Sequence, residues 1–148
     1  MIKKILYSVL AMLLSFTAYA SDVRQMETDD GFIIHYNAFI TNFLTAEVAH
    51  SYNIQRSKKR AMLNISVRKI GKDKLAQTEA VPADVVAKAS NLVGQEKTIE
   101  IRRINEKNAI YYIADFTIAN QEKVKFDLKV TLNDKTHKIK FEQQFFID

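Results

Sequence analysis

Between Val124 and Leu132 every second residue is apolar: Val124, Phe126, Leu128, Val130 and Leu132 alternate with Lys125, Asp127, Lys129 and Thr131. A period of two, with one apolar and one charged face, is the pattern of a half-buried antiparallel strand. Asn133-Asp134 then supplies turn chemistry, and Ile139, Phe141 and Phe145 resume the alternation. The C-terminal segment therefore predicts a β-hairpin.

The same period recurs upstream. Ile99 and Ile101 alternate with Glu100 and Arg102, Glu106-Lys107-Asn108 can turn the chain, and Ile110, Tyr112, Ala114, Phe116 and Ile118 line the returning strand. Asn120-Gln121 joins this second hairpin to the first. Phe32, Ile34, Tyr36, Ala38 and Ile40 mark another strand, whose opposite face is partly apolar through Ile33 and Phe39. Leu63, Ile65 and Val67 mark one more, and Gly71 ends it. Between them Thr45 to Tyr52 predicts a short helix, capped by Thr45, with Glu47 near its positive end and Leu44, Val48 and Tyr52 on one face. Asn53 suits the left-handed position after such a helix, with Ile54 folding back. Residues 81–92 fit either a strand or a helix opened by Pro82. The strand is preferred because every neighbouring segment is β and needs partners. About seven antiparallel strands with one short helix favour an all-β sandwich over a barrel.

The first 20 residues carry a different signal. Lys3 and Lys4 precede an almost unbroken apolar stretch from Ile5 to Thr17, and Ala18-Tyr19-Ala20 forms a small-x-small cleavage site. That order is a secretory signal peptide, and the apolar run is short for a hydrocarbon core of roughly 30 Å. The expectation is a cleaved segment 1–20 and a single domain over 21–148, soluble in the periplasm, with no transmembrane anchor after cleavage. Removal of Lys3 and Lys4 leaves 20 basic against 17 acidic residues, a net charge of +3. Such a mixed surface, in that compartment and without an aromatic-studded basic motif, argues against nucleic acid as a partner. The chain has no cysteine. This rules out a thiol nucleophile, a thiolate metal site and disulfide staples, so packing and hydrogen bonds must hold the domain together.

Few residues are arranged for catalysis. His35, His50 and His137 stand at no metal-ligand spacing, so no metal site is assigned; His35 on its strand is expected to be partly buried, and His50 on the helix and His137 near a hairpin turn to be exposed. No GxSxG elbow surrounds Ser57, Ser66 or Ser90, and three scattered glycines cannot build a phosphate loop. Asp29-Asp30 and Asp115 supply carboxylates, but a domain of this size seldom encloses a deep sugar cleft. The densest unusual segment is Arg56-Ser57-Lys58-Lys59-Arg60, with four cations in five residues. It reads either as a solvated loop or as a patch for phosphate or carboxylate groups. Phe145-Phe146 reads as core plus a covered edge, or as an exposed docking pair.

Five blocks in order carry a resemblance. They are GFIIHYNA (Gly31 to Ala38), Phe43-Leu44-Thr45 with Glu47-Val48-Ala49, Arg56-Ser57-Lys58 with Leu63-Asn64-Ile65-Ser66-Val67, Asn91-Leu92-Val93-Gly94-Gln95, and Ala109-Ile110-Tyr111-Tyr112-Ile113. Together they resemble the exported bacterial family known as domain of unknown function 4426. The resemblance implies an immunoglobulin-like β-sandwich and brings no activity with it. It ranks the polar members of the blocks, and with Arg60 from the basic segment the binding residues are His35, Asn37, Arg56, Ser57, Lys58, Arg60, Asn64, Asn91 and Gln95. These form either a buried hydrogen-bonded network or a ligand surface. The expected function is a non-enzymatic binding or protein-interaction module needing no cofactor, with an envelope protein or a small anionic ligand as partner. The alternatives are a small hydrolase or metal-assisted enzyme centred on His35, and a carrier of an apolar ligand between the sheets.

Overall fold

The computed structural model describes residues 24–73 and 77–147. The expected export signal over 1–20 and the expected Ser21 start lie outside the described residues. The described residues form ten strands: β1 (Arg24–Glu27), β2 (Phe32–Ile40), β3 (Arg60–Lys69), β4 (Glu79–Ala80), β5 (Asp84–Asn91), β6 (Glu96–Lys97), β7 (Arg102–Asn105), β8 (Ile110–Thr117), β9 (Lys123–Leu132) and β10 (Lys135–Gln144). One short helix, α1, spans Ala46–Ser51. The larger sheet runs β1-β2-β3-β8-β7, with β4 pairing the end of β3 that extends past β8, and the smaller runs β10-β9-β5-β6. All described pairings are antiparallel. This is an all-β immunoglobulin-like sandwich, as expected. Seven strands answer to the anticipated ones, with the segment 81–92 forming a strand over 84–91 and the one expected over 99–102 displaced to 102–105, while β1, β4 and β6 are short additions that the alternation does not announce.

The two sheets meet through the residues their period of two turns inward. Ile34, Leu63, Ile65, Val67, Val124, Leu128 and Val130 are buried almost completely. A chain of rings crosses between the sheets. Tyr36 lies 5.0 Å from Phe141, Phe141 stacks on Phe126 at 4.6 Å, and Phe126 meets Phe116 edge-on at 5.7 Å. Phe116 then contacts Phe145 at 6.2 Å. Asn133 and Asp134 both adopt positive φ, the geometry that closes a two-residue hairpin with the twist of its strands.

A second, smaller core lies on the outer face of the larger sheet. Ala49 and Ile54 pack on Met62 and Ile113, with Phe39, Leu44, Tyr52, Ile104 and Tyr111 at the margin. This explains the apolar Phe39 on a face that would otherwise be polar. Thr45 caps α1 by accepting from Val48 N at 3.2 Å. Asn53 takes φ 52°, and Ile54 N donates to Ala49 O at 2.8 Å. Buried Thr41 ties the segment down, donating to Gln55 O at 2.8 Å and accepting from Ser57 N at 2.9 Å.

Two placements differ from the sequence expectation. Val48 is exposed and Ala49 is the buried helix residue, because a helix of six residues docks by its C-terminal turn and Ile54 rather than by a full stripe. His137, expected at the surface near a turn, is buried. It pairs with Val130 and shares the inward parity of Ile139, and its Nε2 lies 3.4 Å from Asp30 Oδ1.

Truncating Phe126 removes the centre of the ring chain, so Phe126→Ala should cost about 3–5 kcal/mol in denaturant unfolding. Val86→Ser, on the outer face of β5, should change stability by less than about 0.5 kcal/mol.

Candidate functional site

The nine residues singled out from sequence separate into three groups. His35, Asn37 and Asn64 stand on the outer face of the larger sheet, because the intervening residues of β2 and β3 face the core. Asn37 lies directly opposite Asn64, and His35 opposite Ser66. The Asn64 Oδ1 atom is buried and has no hydrogen-bond partner among the described residues. Half-buried His35 has its pKa lowered, first by burial and then by the positive charge of Arg68. Arg68 is itself committed, donating to Thr78 Oγ1 and Thr78 O at 2.6 Å and to Asn108 O at 3.0 Å. No group of three His, Cys, Asp or Glu that could hold a metal ion occurs among the described residues.

The second group is the basic segment leading into β3. Ser57 is structural in its contacts: its backbone binds Thr41, and its Oγ accepts from Lys59 N at 3.0 Å. Arg56 Nη2 donates to Asn42 O at 3.3 Å, while its side chain remains on an exposed residue. Arg60 is paired with Asp115, its Nε standing 3.1 Å from Oδ2. Lys58 and Lys59 are exposed and form no ion pair among the described residues.

Asn91 and Gln95 close the tip between β5 and β6. Asn91 Nδ2 donates to Gln95 Oε1 at 2.8 Å, and Asn91 Oδ1 accepts from Val93 N and Gln95 N at 3.1 and 2.9 Å. Gly94 takes φ 84°, a conformation strained for any other residue type here. These bonds hold Leu92 and Val93 out at the tip. Arg60, Asn91 and Gln95 line one open cleft of about 540 Å³, together with Glu96, Lys97 and Asp115. Arg60 and Asp115 also border a neighbouring cleft beside Asn53 and Ile54.

Strand polarity decides how these groups relate. The end of β2, the start of β3, the end of β8, the start of β9 and the end of β5 all fall at one end of the sandwich, since Ile40 pairs Ala61, Arg60 pairs Thr117 and Asn91 pairs Val124. Lys97 pins that end across the sheets, donating to Thr117 O at 2.9 Å and pairing with Glu122. Arg56, Ser57, Lys58, Arg60, Asn91 and Gln95 therefore share this end, while His35, Asn37 and Asn64 belong to the sheet face. Sequence reasoning missed Lys97 and Glu122, and it weighed Asp115 only as a free carboxylate, not as the partner of Arg60, because these pairings span long stretches of chain. It also passed over Leu92-Val93, although an apolar pair between a strand and a turn glycine is a readable sign.

The lowered pKa of His35 means that the unfolded chain takes up a proton first as pH falls below the ordinary value of 6.5. Stability that is complete above that value is lost as pH drops through the lower folded-state value. His35→Gln should flatten the wild-type decline over this window in unfolding measured across pH. Equal slopes for the two proteins would remove the role of burial at this position.

The family described as "Domain of unknown function (DUF4426)" matches residues 26–148. A crystal structure of a DUF4426 family protein from Pseudomonas aeruginosa PAO1 is similar at 30% identity and a TM-score of 0.72, covering 88% of this chain and 99% of that one. The GAE domain of GGA2p from Saccharomyces cerevisiae aligns at 8% identity and TM-score 0.39 over 83% of this chain and 96% of its own. The yeast GGA1 GAE domain aligns at 12% identity and TM-score 0.39, over 82% and 97%. No curated protein matches. By the extent of the family match and the solved relative, the chain belongs to the DUF4426 family.

Proposed function

We infer that this protein is a non-enzymatic binding module, exported to the periplasm, that meets an anionic component of the cell envelope with one end of its sandwich. The observation that carries the reading is the convergence just described. Exposed Arg56, Lys58 and Lys59 stand at the same end as the cleft lined by Arg60, Asn91 and Gln95. Guanidinium and ammonium groups on a preformed surface suit phosphate or carboxylate partners. Because Arg60 is held by Asp115, the contact falls to Arg56 and Lys58, and the Arg60–Asp115 pair sets the cleft wall.

The alternatives draw less support. A reaction centred on His35 needs an acid, base or metal ligand beside the imidazole, and the charge acting on it belongs to another cation, Arg68. An apolar ligand would need room between the sheets, where the ring chain and buried aliphatic residues are packed.

In-cell crosslinking followed by affinity capture should recover a defined envelope component with the wild-type protein. Arg56→Glu with Lys58→Glu should recover several-fold less, at unchanged melting temperature. Equal recovery would eliminate the basic surface. The captured protein should come from the periplasmic fraction with Ser21 as its first residue; a cytoplasmic full-length chain would contradict the export reading.

A further inference from the structure

We propose that the loop-bearing end docks on the surface of an anionic phospholipid bilayer, an inference that rests on the binding reading above and names its partner. Exposed large apolar side chains are distributed unevenly over the molecule. Phe43 (76% exposed), Leu92 (60%), Val93 (81%) and Phe146 (59%) stand at this end, whereas of the two others Val48 (37%) lies on α1 and Val86 (57%) alone on the outer face of β5. They sit on separate connections: the turn after β2, the tip between β5 and β6, and the chain beyond β10. The turns of the opposite end, at 28–31, 106–109 and 133–134, expose no large apolar residue among the described residues.

Single exposed apolar residues need no explanation, but a cluster at one end does. Leu92 and Val93 are held out by the hydrogen bonds of Asn91 and Gln95 rather than left loose, so little ordering remains to be done on contact. Phe146 is displayed while its neighbour Phe145 is buried in the ring chain, and Ile147 N is fixed to Asn120 Oδ1 at 3.0 Å. Apolar tips on three separate connections do not make the continuous groove or free strand edge that a peptide needs. They suit a fluid partner into which each tip inserts independently, as apolar side chains enter the boundary between headgroups and acyl chains.

The charges agree. Arg60, Lys97 and Lys123 are paired with Asp115, Glu122 and Glu142. What distinguishes Arg56, Lys58 and Lys59 is that these exposed cations, close together in the chain at this end, form no ion pair among the described residues. Basic residues next to inserted side chains select anionic headgroups and lose that selectivity at high salt.

Co-sedimentation with vesicles tests this, using protein purified in the processed form the cell accumulates, and phosphatidylglycerol–phosphatidylethanolamine vesicles against phosphatidylcholine alone. The wild type should sediment with the anionic vesicles and much less with the neutral ones. Leu92→Ser with Val93→Ser should weaken binding about tenfold or more at unchanged melting temperature. Arg56→Glu, Lys58→Glu and Lys59→Glu together should abolish the preference for anionic lipid. Wild type and variants share one N-terminus, so differences between them report the loops. Absence of sedimentation, equal binding to both vesicle types, or full binding by the Leu92/Val93 variant would each overturn the proposal. If vesicles fail while the Arg56/Lys58 variant still loses its crosslinked component, the binding reading stands and the bilayer falls.

Discussion

The chain of rings from Tyr36 through Phe141, Phe126 and Phe116 to Phe145 is the contact on which the rest of the molecule depends. A sandwich without cysteine has no covalent tie between its sheets. Two sheets held only by aliphatic contacts could slide, whereas offset and edge-on rings favour particular separations and angles. Phe116 and Phe145 end the chain at the loop-bearing end, where Phe145 N also donates to Glu122 O at 2.9 Å. The rigid interior thus extends to the base of the loops proposed to make contact.

The two ends of the sandwich differ in kind. At the hairpin end, Asp29 is bound to Lys135, an interaction that holds its carboxyl below the usual range. Asp30 accepts from Thr28 and is likewise lowered. Those groups satisfy one another, and the clefts beside them, one lined by Lys69 and Asn133 and another by Arg68, Lys107 and Asn108, carry no exposed large apolar side chain. At the other end, the acids Asp115 and Glu122 are consumed by Arg60 and Lys97, and cations and apolar tips are left over. Both ends keep exposed lysines, and what sets the second apart is the apolar side chains displayed beside them.

Much of the frame was legible in the sequence because strands and turns are local. The alternation over 124–132, the Asn133-Asp134 turn, the Thr45 cap and the left-handed Asn53 each follow from neighbours within a few residues. What was not legible is set by distant pairing. β4 and β6 have two residues each and exist because longer strands offer them an edge. Ala49 was hidden behind the more apolar Val48, since which helix residue docks depends on the sheet beneath. His137 could have been placed by carrying the parity of Ile139 back two residues. Of the site, the basic run itself was visible, but the neutralisation of Arg60 by a residue 55 positions away was not. The gathering of Phe43, Leu92, Val93 and Phe146 at one end is likewise a product of topology.

The central claim is that one end of this sandwich is its working surface. Amide hydrogen exchange with and without phosphatidylglycerol-containing vesicles tests it most directly. Protection should be confined to residues 41–59, 91–96 and 145–147, with no change at 28–31 or 133–135. Protection centred on those latter turns, or on the lysine-bearing outer face of β9 and β10, would contradict it.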